Sequence, residues 1–69
     1  QHGKSMHHSI QNILAFFEYS YLPEHLQKVS KPYCTLAQEV ASRYPNNAET
    51  TVALRKLLWS KDAAVRAAL

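Results

Sequence analysis

One stretch of the chain combines phosphate-binding side chains with a flat aromatic ring. Thr51 and Arg55 are one helical turn apart, so a helix would place them on the same face. That face continues through Trp59, Asp62 and Arg66. A hydroxyl, two guanidinium groups and an indole suit a phosphate bound bidentately by arginine, with a base stacked nearby. They equally suit an exposed face on which Asp62 pairs with the arginines and Trp59 contacts another subunit.

A second stretch, FFEYSYLP at residues 16 to 23, contains four of the seven aromatic residues of this 69-residue chain. We expect Phe16 and Phe17 to anchor a first helix. Tyr19 and Tyr21 follow where that helix should end, and there a tyrosine ring can cover apolar surface while its hydroxyl stays in water. A tyrosine at this position could also stack on a nucleotide base. Core, subunit contact and ligand platform all remain open.

Catalysis has little support in the sequence. Cys34 is the single cysteine, and no spacing brings His25 beside it, so a small buried hydrophobic residue is favoured over a nucleophile. One cysteine and four scattered histidines do not form a metal-ligand set. The chain also has no glycine-rich phosphate loop. We therefore expect no enzymatic activity, no metal and no cofactor.

The length and composition indicate one small folded domain that associates with copies of itself. A chain of 69 residues is near the size at which a single core is marginal, and one cysteine excludes an internal disulfide. Association with other copies of the chain is the remaining common way to stabilise so small a core, so we expect an oligomer. The apolar content of 46% is typical of a folded chain.

The location and the partner class can also be predicted. No apolar run approaches the roughly 18 residues that a membrane span needs, so no membrane partner is expected. A lone thiol fits a reducing, cytoplasmic compartment. The net charge of +3 suits small anionic partners better than a DNA or RNA polymer.

The pattern of caps and apolar positions predicts an all-α fold with three helices. Ser9 can cap a short first helix over residues 10–19, whose apolar face ends at Phe17. Pro23 suits the first turn of a second helix. Asn47 can cap a third helix from about Ala48 to near the C-terminus. Because the connection between the last two helices is short, we expect an antiparallel helical hairpin.

The second and third helices carry apolar stripes. In the second, steps of four and three residues make a seam that should pack on one partner: Leu22, Leu26, Val29, Tyr33, Leu36 and Val40. Pro32 interrupts this seam and should kink or briefly break the helix. The third helix is apolar over much of its circumference, which predicts burial on more than one side, with a second copy covering part of it.

The first eight residues differ from the rest of the chain. They carry the single glycine, Gly3, and three of the four histidines. We assign residues 1–8 to a head that is disordered or derived from an expression tag, with a native start at Met6, and residues 9–69 to a single helical domain.

Six short elements follow one another in a recognisable order: F-x-Y at 17–19, Pro23, Leu-Ala at 36–37, Pro-Asn at 45–46, ET-x-x-ALR-x-L at 49–57, and DAAVRAAL at 62–69. This order resembles that of the phage anti-CBASS cyclic-nucleotide sponges, over most of residues 16–69. The resemblance implies a helical protein that assembles into a hexamer in the cytoplasm of the infected bacterium. Such a protein captures the cyclic oligonucleotide signals of an antiphage system without cleaving them.

The resemblance also implies where cyclic di- and trinucleotides bind. Cyclic dinucleotides would lie between protomers, with a base stacked on Tyr19 of the F-x-Y element and Lys31 on a phosphate, although Lys28 competes for that role. Cyclic trinucleotides would use a separate pocket in which Thr51 and Arg55 bind phosphate. The ligand-binding residues expected in this way are Phe17, Tyr19, Lys31, Thr51 and Arg55.

Two other functions remain open. A small helical protein-interaction module that inhibits a host protein would expose Tyr19, Tyr21 and Trp59 as one patch. A nucleic-acid-binding protein would gather its basic residues on one continuous face, and its affinity would fall steeply with salt.

Overall fold

The computed structural model describes residues 6–69, which form three helices: α1 (His8–Ala15), α2 (Glu24–Arg43) and α3 (Ala48–Ala68). No strand occurs among these residues, so the all-α class is confirmed. The largest interhelical contact is between α2 and α3, and α1 packs against both. None of the three helices is long and apolar enough to cross a membrane.

The predicted head lies partly inside the fold. Residues 1–5 are outside the described residues. Met6, by contrast, packs against the hydrophobic core, and His7 directly precedes α1. The structured unit thus includes residues that the sequence pattern assigned to the head.

The first helix begins earlier than the cap pattern predicted. His7, rather than Ser9, is the N-cap, and its Nδ1 accepts the backbone N–H of Ser9 at 3.1 Å. Ser9 therefore lies in the first helical turn, where its hydroxyl is free to contact α3. The prediction failed because Ser9 is the residue type most often found at caps, whereas an imidazole nitrogen can accept the same bond.

The same helix also ends earlier, at Ala15 rather than near residue 19. The N–H groups of Phe16 and Phe17 donate to carbonyls only three residues back, which tightens the last turn. The Glu18 carboxylate then accepts the N–H groups of Ser20 and Tyr19, at 2.9 and 2.8 Å. These bonds lower the pKa of Glu18 and turn the chain towards α2.

The second helix runs without interruption through Pro32, so the predicted break does not occur. Pro23 is its N-cap, one residue before the first helical turn where we expected it. Its carbonyl accepts the N–H groups of Leu26 and Gln27, which starts the helix.

The buried face of α2 differs from the predicted seam. Four residues line it: Leu26, Ser30, Ala37 and Ala41. Leu36, which the seam included, is 46% exposed, while Val40 and Tyr33 lie at the edges of the core. The periodicity argument selects large apolar side chains. A helix that packs closely on two others must instead present small residues at the centre of the contact.

The third helix begins as predicted. The Asn47 side chain accepts the N–H of Glu49 at 2.8 Å, and Glu49 lies in the first turn, where the helix dipole favours an acid. Lys61 is only 6% exposed, although its ammonium group pairs with the Asp62 carboxylate at 3.1 Å. Lys61 therefore occupies an inward-facing position, and the carboxylate that pairs with its ammonium group is half-exposed.

A single core holds the three helices together. Its fully or nearly fully buried members come from all three helices and from the turn after α1: Ile10, Ile13, Phe17, Ala37, Ala41 and Leu54. Within this cluster the two alanines of α2 leave room for Phe17 and Leu54, which are both fully buried. The short first helix is thus an integral part of the fold.

Enlarging the small-residue contact should destabilise the fold. Ala37→Leu introduces a branched side chain at a fully buried position and should lower the free energy of unfolding by about 1–3 kcal/mol. Leu36→Ala is the control, because this exposed neighbour should change it by less than about 0.5 kcal/mol. Urea denaturation of both variants measures the difference. A larger loss of unfolding free energy in Leu36→Ala than in Ala37→Leu would contradict the buried face of α2 described above.

Removing the hydroxyl of Ser30 should stabilise the protein. Ser30 is 1% exposed, and its Oγ has no hydrogen-bond partner among residues 6–69. Because a buried hydroxyl without a partner costs free energy, Ser30→Ala should raise the free energy of unfolding by about 1 kcal/mol. In a domain of this size that corresponds to roughly 4–8 °C in thermal midpoint.

Ser42→Ala is the matched control, since Ser42 is exposed on the same helix and its Oγ donates to the Glu39 carbonyl at 3.0 Å. It reports the helix propensity of alanine without relieving a buried polar group. A midpoint for Ser30→Ala at or below that of the parent protein would contradict the prediction.

Candidate functional site

Thr51 and Arg55 lie where α1 and α3 meet. Thr51 Oγ1 is 3.0 Å from Ser9 Oγ, which in turn is 2.9 Å from Nδ1 of His7. Nδ1 also accepts the Ser9 N–H, so the proton of the neutral ring resides on Nε2. The Ser9 hydroxyl therefore donates its one proton to Nδ1 and accepts from the Thr51 hydroxyl, so Thr51 can donate to a ligand only by giving up this bond.

Backbone hydrogen bonds hold these groups in position. The N–H of His7 donates to the carbonyl of Pro45 at 2.9 Å, which attaches the start of α1 to the connection between α2 and α3. Within that connection, the hydroxyl of Thr50 donates to the Tyr44 carbonyl at 2.8 Å. The first turns of α1 and α3 are therefore fixed side by side.

The N-terminal ends of α1 and α3 border a depression of about 360 Å³. Eight residues line it: His7, Ser9, Asn46, Asn47, Ala48, Thr51, Val52 and Arg55. The first turns of helices carry N–H groups without intrahelical acceptors, and these give the opening a positive potential. The Nε2–H of His7 and the guanidinium group of Arg55 add donors to it, so the depression suits an anion.

Arg55 has no competing carboxylate among the described residues. The ion pair of this region joins Asp62 to Lys61 at 3.1 Å, not to either arginine. The pairing of Asp62 with the two arginines, which the spacing allowed, is therefore not formed within residues 6–69. A guanidinium group without an ion-pair partner can offer its full set of donors to a ligand.

An aromatic groove of about 420 Å³ continues from this depression between α1 and α3. It shares Ser9, Thr51 and Arg55 with the depression and then extends to a second group of residues: Asn12, Ile13, Phe16, Leu58 and Trp59. Phe16 is 64% exposed and Trp59 is 61% exposed. Two large aromatic rings thus line an open groove next to the guanidinium group of Arg55.

The aromatic cluster of residues 16–23 is divided between core and surface. Phe17 is 1% exposed and anchors the turn after α1, as expected. Phe16 does not anchor the helix, because it follows the last residue of α1 and its ring remains largely in solvent. Phe17 consequently offers a ligand no surface in the single chain.

The other two predicted ligand-binding residues lie elsewhere. Tyr19 is half-buried in the connection between α1 and α2. Lys31 is exposed on α2, where it lines a shallow depression together with Lys28 and Leu36. Neither residue borders the depression or the groove that Thr51 and Arg55 share.

Four residues of this region were not predicted from the sequence: His7, Ser9, Asn12 and Phe16. Ser9 and Thr51 are separated by 42 positions, so no local pattern relates them. One signal was available. Ser9, Asn12 and Phe16 follow one another at the spacing of one helical face, from polar to aromatic.

The single cysteine is poorly suited to nucleophilic attack. Cys34 is half-buried, and partial burial and the nearby charge of Glu18 both raise the pKa of its thiol. The amide Nε2 of Gln38 is 3.6 Å from its Sγ. At neutral pH the side chain is therefore a neutral thiol, which is a weak nucleophile.

No protein-family model, curated protein or solved structure matches this chain. The resemblance to the phage sponges accordingly rests on the order of short sequence elements alone. Residues 6–69 also contain no group of three or more histidine, cysteine or acidic side chains placed to bind a metal ion.

The reactivity of Cys34 should follow its raised pKa. Alkylation by iodoacetamide should be slower at neutral pH than that of free cysteine, and its rate should rise with pH through a pKa above the ordinary value. Glu18→Gln removes a negative charge that disfavours the thiolate, so it should accelerate alkylation at a fixed pH of about 8. Glu24→Gln, at an exposed position in the first turn of α2, is the control. Alkylation as fast as that of free cysteine would contradict the prediction.

Proposed function

We propose that this protein is a phage-encoded, non-enzymatic sponge that binds cyclic oligonucleotide immune signals in the infected cell and so inhibits antiphage signalling. The observation that carries the proposal is the convergence of Arg55, Thr51 and Ser9 at a depression bordered by two helix N-termini. Such a site offers several hydrogen-bond donors and positive potential to one phosphate group.

The chemistry of the lining supports capture without cleavage. Guanidinium and backbone N–H groups stabilise a phosphodiester as it stands. His7 is the one lining side chain that could act as a general base, and its Nδ1 is already occupied by the hydroxyl and N–H of Ser9. Sequestration needs only affinity. The net charge of +3 also favours encounter with a polyanionic signal.

The dimensions of the chain support an antiparallel arrangement of α2 and α3. A helix of 21 residues, such as α3, is about 31 Å long. The longest dimension of the structure is 40 Å, so two such helices cannot follow one another end to end. The four residues 44–47 that connect them leave room only for a reversal of direction.

Exposed apolar side chains support association of several copies, and the family resemblance suggests a hexamer. Tyr44 and Leu69 are among the large apolar residues that remain exposed in the single chain. Tyr19 lies in the connection between α1 and α2, and Lys31 lines a depression on α2 that Tyr19 does not line, so in this proposal different protomers supply the two residues. A cyclic dinucleotide pocket of this kind would therefore form between protomers.

The alternative function is a protein-interaction module that inhibits a host protein. Its supporting observation is the exposure of Phe16, Tyr21 and Trp59, since aromatic side chains dominate the energy of protein interfaces. Tyr19, which that function would also expose, is only half-exposed. The two functions differ in what covers these rings: a cyclic nucleotide in the sponge and a host protein in the interaction module.

Titration calorimetry against a panel of cyclic di- and trinucleotides tests the sponge. We expect saturable binding to an assembly whose mass, measured by light scattering, is that of a hexamer, and chromatography should recover the ligand intact. Arg55→Ala should weaken cyclic trinucleotide binding by roughly 10- to 150-fold, because charge-assisted hydrogen bonds contribute about 1.5–3 kcal/mol.

Lys56→Ala is the matched control. It removes the same charge from the adjacent, exposed position, which does not line the depression. Equal losses of cyclic trinucleotide affinity in Arg55→Ala and Lys56→Ala would indicate nonspecific electrostatic attraction and contradict a specific phosphate site at Arg55. No binding across the panel by a stable assembly would overturn the sponge and favour a protein partner.

A further inference from the structure

The aromatic groove has two walls that change from polar to aromatic in the same direction. On α3 the order is Thr51, Arg55 and Trp59, each four positions after the one before. On the α1 side the order is Ser9, Asn12 and Phe16. The hydrogen bond between Ser9 and Thr51 aligns the two polar ends, so the aromatic residues face the other end of the groove together.

The spacing of these groups matches the parts of a nucleotide. Arg55 and Trp59 are separated by about 6 Å along the helix axis, as for any two residues four apart. In a nucleotide, a sugar of comparable length separates the phosphate from the base. A phosphate on Arg55 would therefore place its base near Trp59, which lines the same groove.

The exposure of the two rings is itself informative. Phe16 and Trp59 are 64% and 61% exposed, whereas Phe17, directly after Phe16, is 1% exposed. Both rings border the same open groove and leave its floor to Ile13 and Leu58. Flat bases gain stacking energy from such rings, and an indole is a good platform for any base.

We propose that this groove binds one nucleotide unit of the signal, with the base held by Phe16 and Trp59 and the phosphate by Arg55 and Thr51. The inference rests on the proposed function and deepens it, because it assigns the base platform to residues of the same protomer. It also makes Tyr19 unnecessary for binding at this site. The carboxamide of Asn12, which borders the groove, donates to and accepts from the edge of the base.

The chain contains a built-in reporter for this site. Trp59 is the only tryptophan, so fluorescence excited selectively in the indole reports on this position alone. We expect saturable quenching by cyclic tri-adenylate and weaker but saturable quenching by adenosine monophosphate. Inorganic phosphate at the same concentrations should leave the emission unchanged, because it brings no base to the indole.

Phe16→Ala should weaken cyclic tri-adenylate binding by roughly 5- to 150-fold, which corresponds to the loss of one base-stacking contact. Because Phe16 is exposed, circular dichroism should show an unchanged helical fold. Tyr21→Ala is the matched control, since it removes another exposed aromatic ring that borders neither wall. Calorimetry with Asn12→Ala measures the contribution of the carboxamide separately.

The outcomes separate this inference from the sponge itself. Tight binding of cyclic nucleotides without quenching, with loss in Tyr19→Ala and none in Phe16→Ala, would preserve the sponge and overturn the groove as base site. Quenching by adenosine monophosphate without binding of any cyclic nucleotide would support the groove and overturn the sponge. A Trp59 emission that responds to protein concentration and to no nucleotide would identify the groove as a contact between copies and overturn the inference.

Discussion

The helical structure of α1 depends on burial against the other two helices. An isolated helix of eight residues is unstable in water, where even good sequences need about 12–15 residues. The buried side chains of Ile10 and Ile13, together with Phe17 in the following turn, supply the missing stability. The same burial positions Ser9 and Phe16 beside α3. The packing of α1 against the other two helices therefore forms both the core and the candidate site.

Two helix N-termini lie together at the polar end of the site, an arrangement that brings partial positive charges close to each other. Side-chain caps reduce its cost, since His7 Nδ1 and Asn47 Oδ1 each accept one of the free N–H groups. Arg55 adds a full positive charge without a carboxylate partner among the described residues. An anion bound here would compensate this charge, which links the local electrostatics of the fold directly to the proposed binding of phosphate.

The distribution of side-chain size connects the core to the aromatic groove. Small residues of α2 occupy the centre of the helical packing, and Phe17 is buried in the same cluster. Phe16 and Trp59 remain at the surface, where they line the groove beside Arg55. Two exposed aromatic rings that border one groove offer contacts to a base or to another protein chain.

Local chemistry in the sequence was sufficient to predict the helical class, the Asn47 cap of α3 and the helical spacing of Thr51 and Arg55, because each depends on residues only a few positions apart. The tertiary structure decided which face each helix buries and which distant residues meet. Periodicity favoured Leu36, whereas close packing selected the neighbouring Ala37. The contact of Ser9 with Thr51 spans 42 positions and arises only when α1 docks, since no local interaction encodes it.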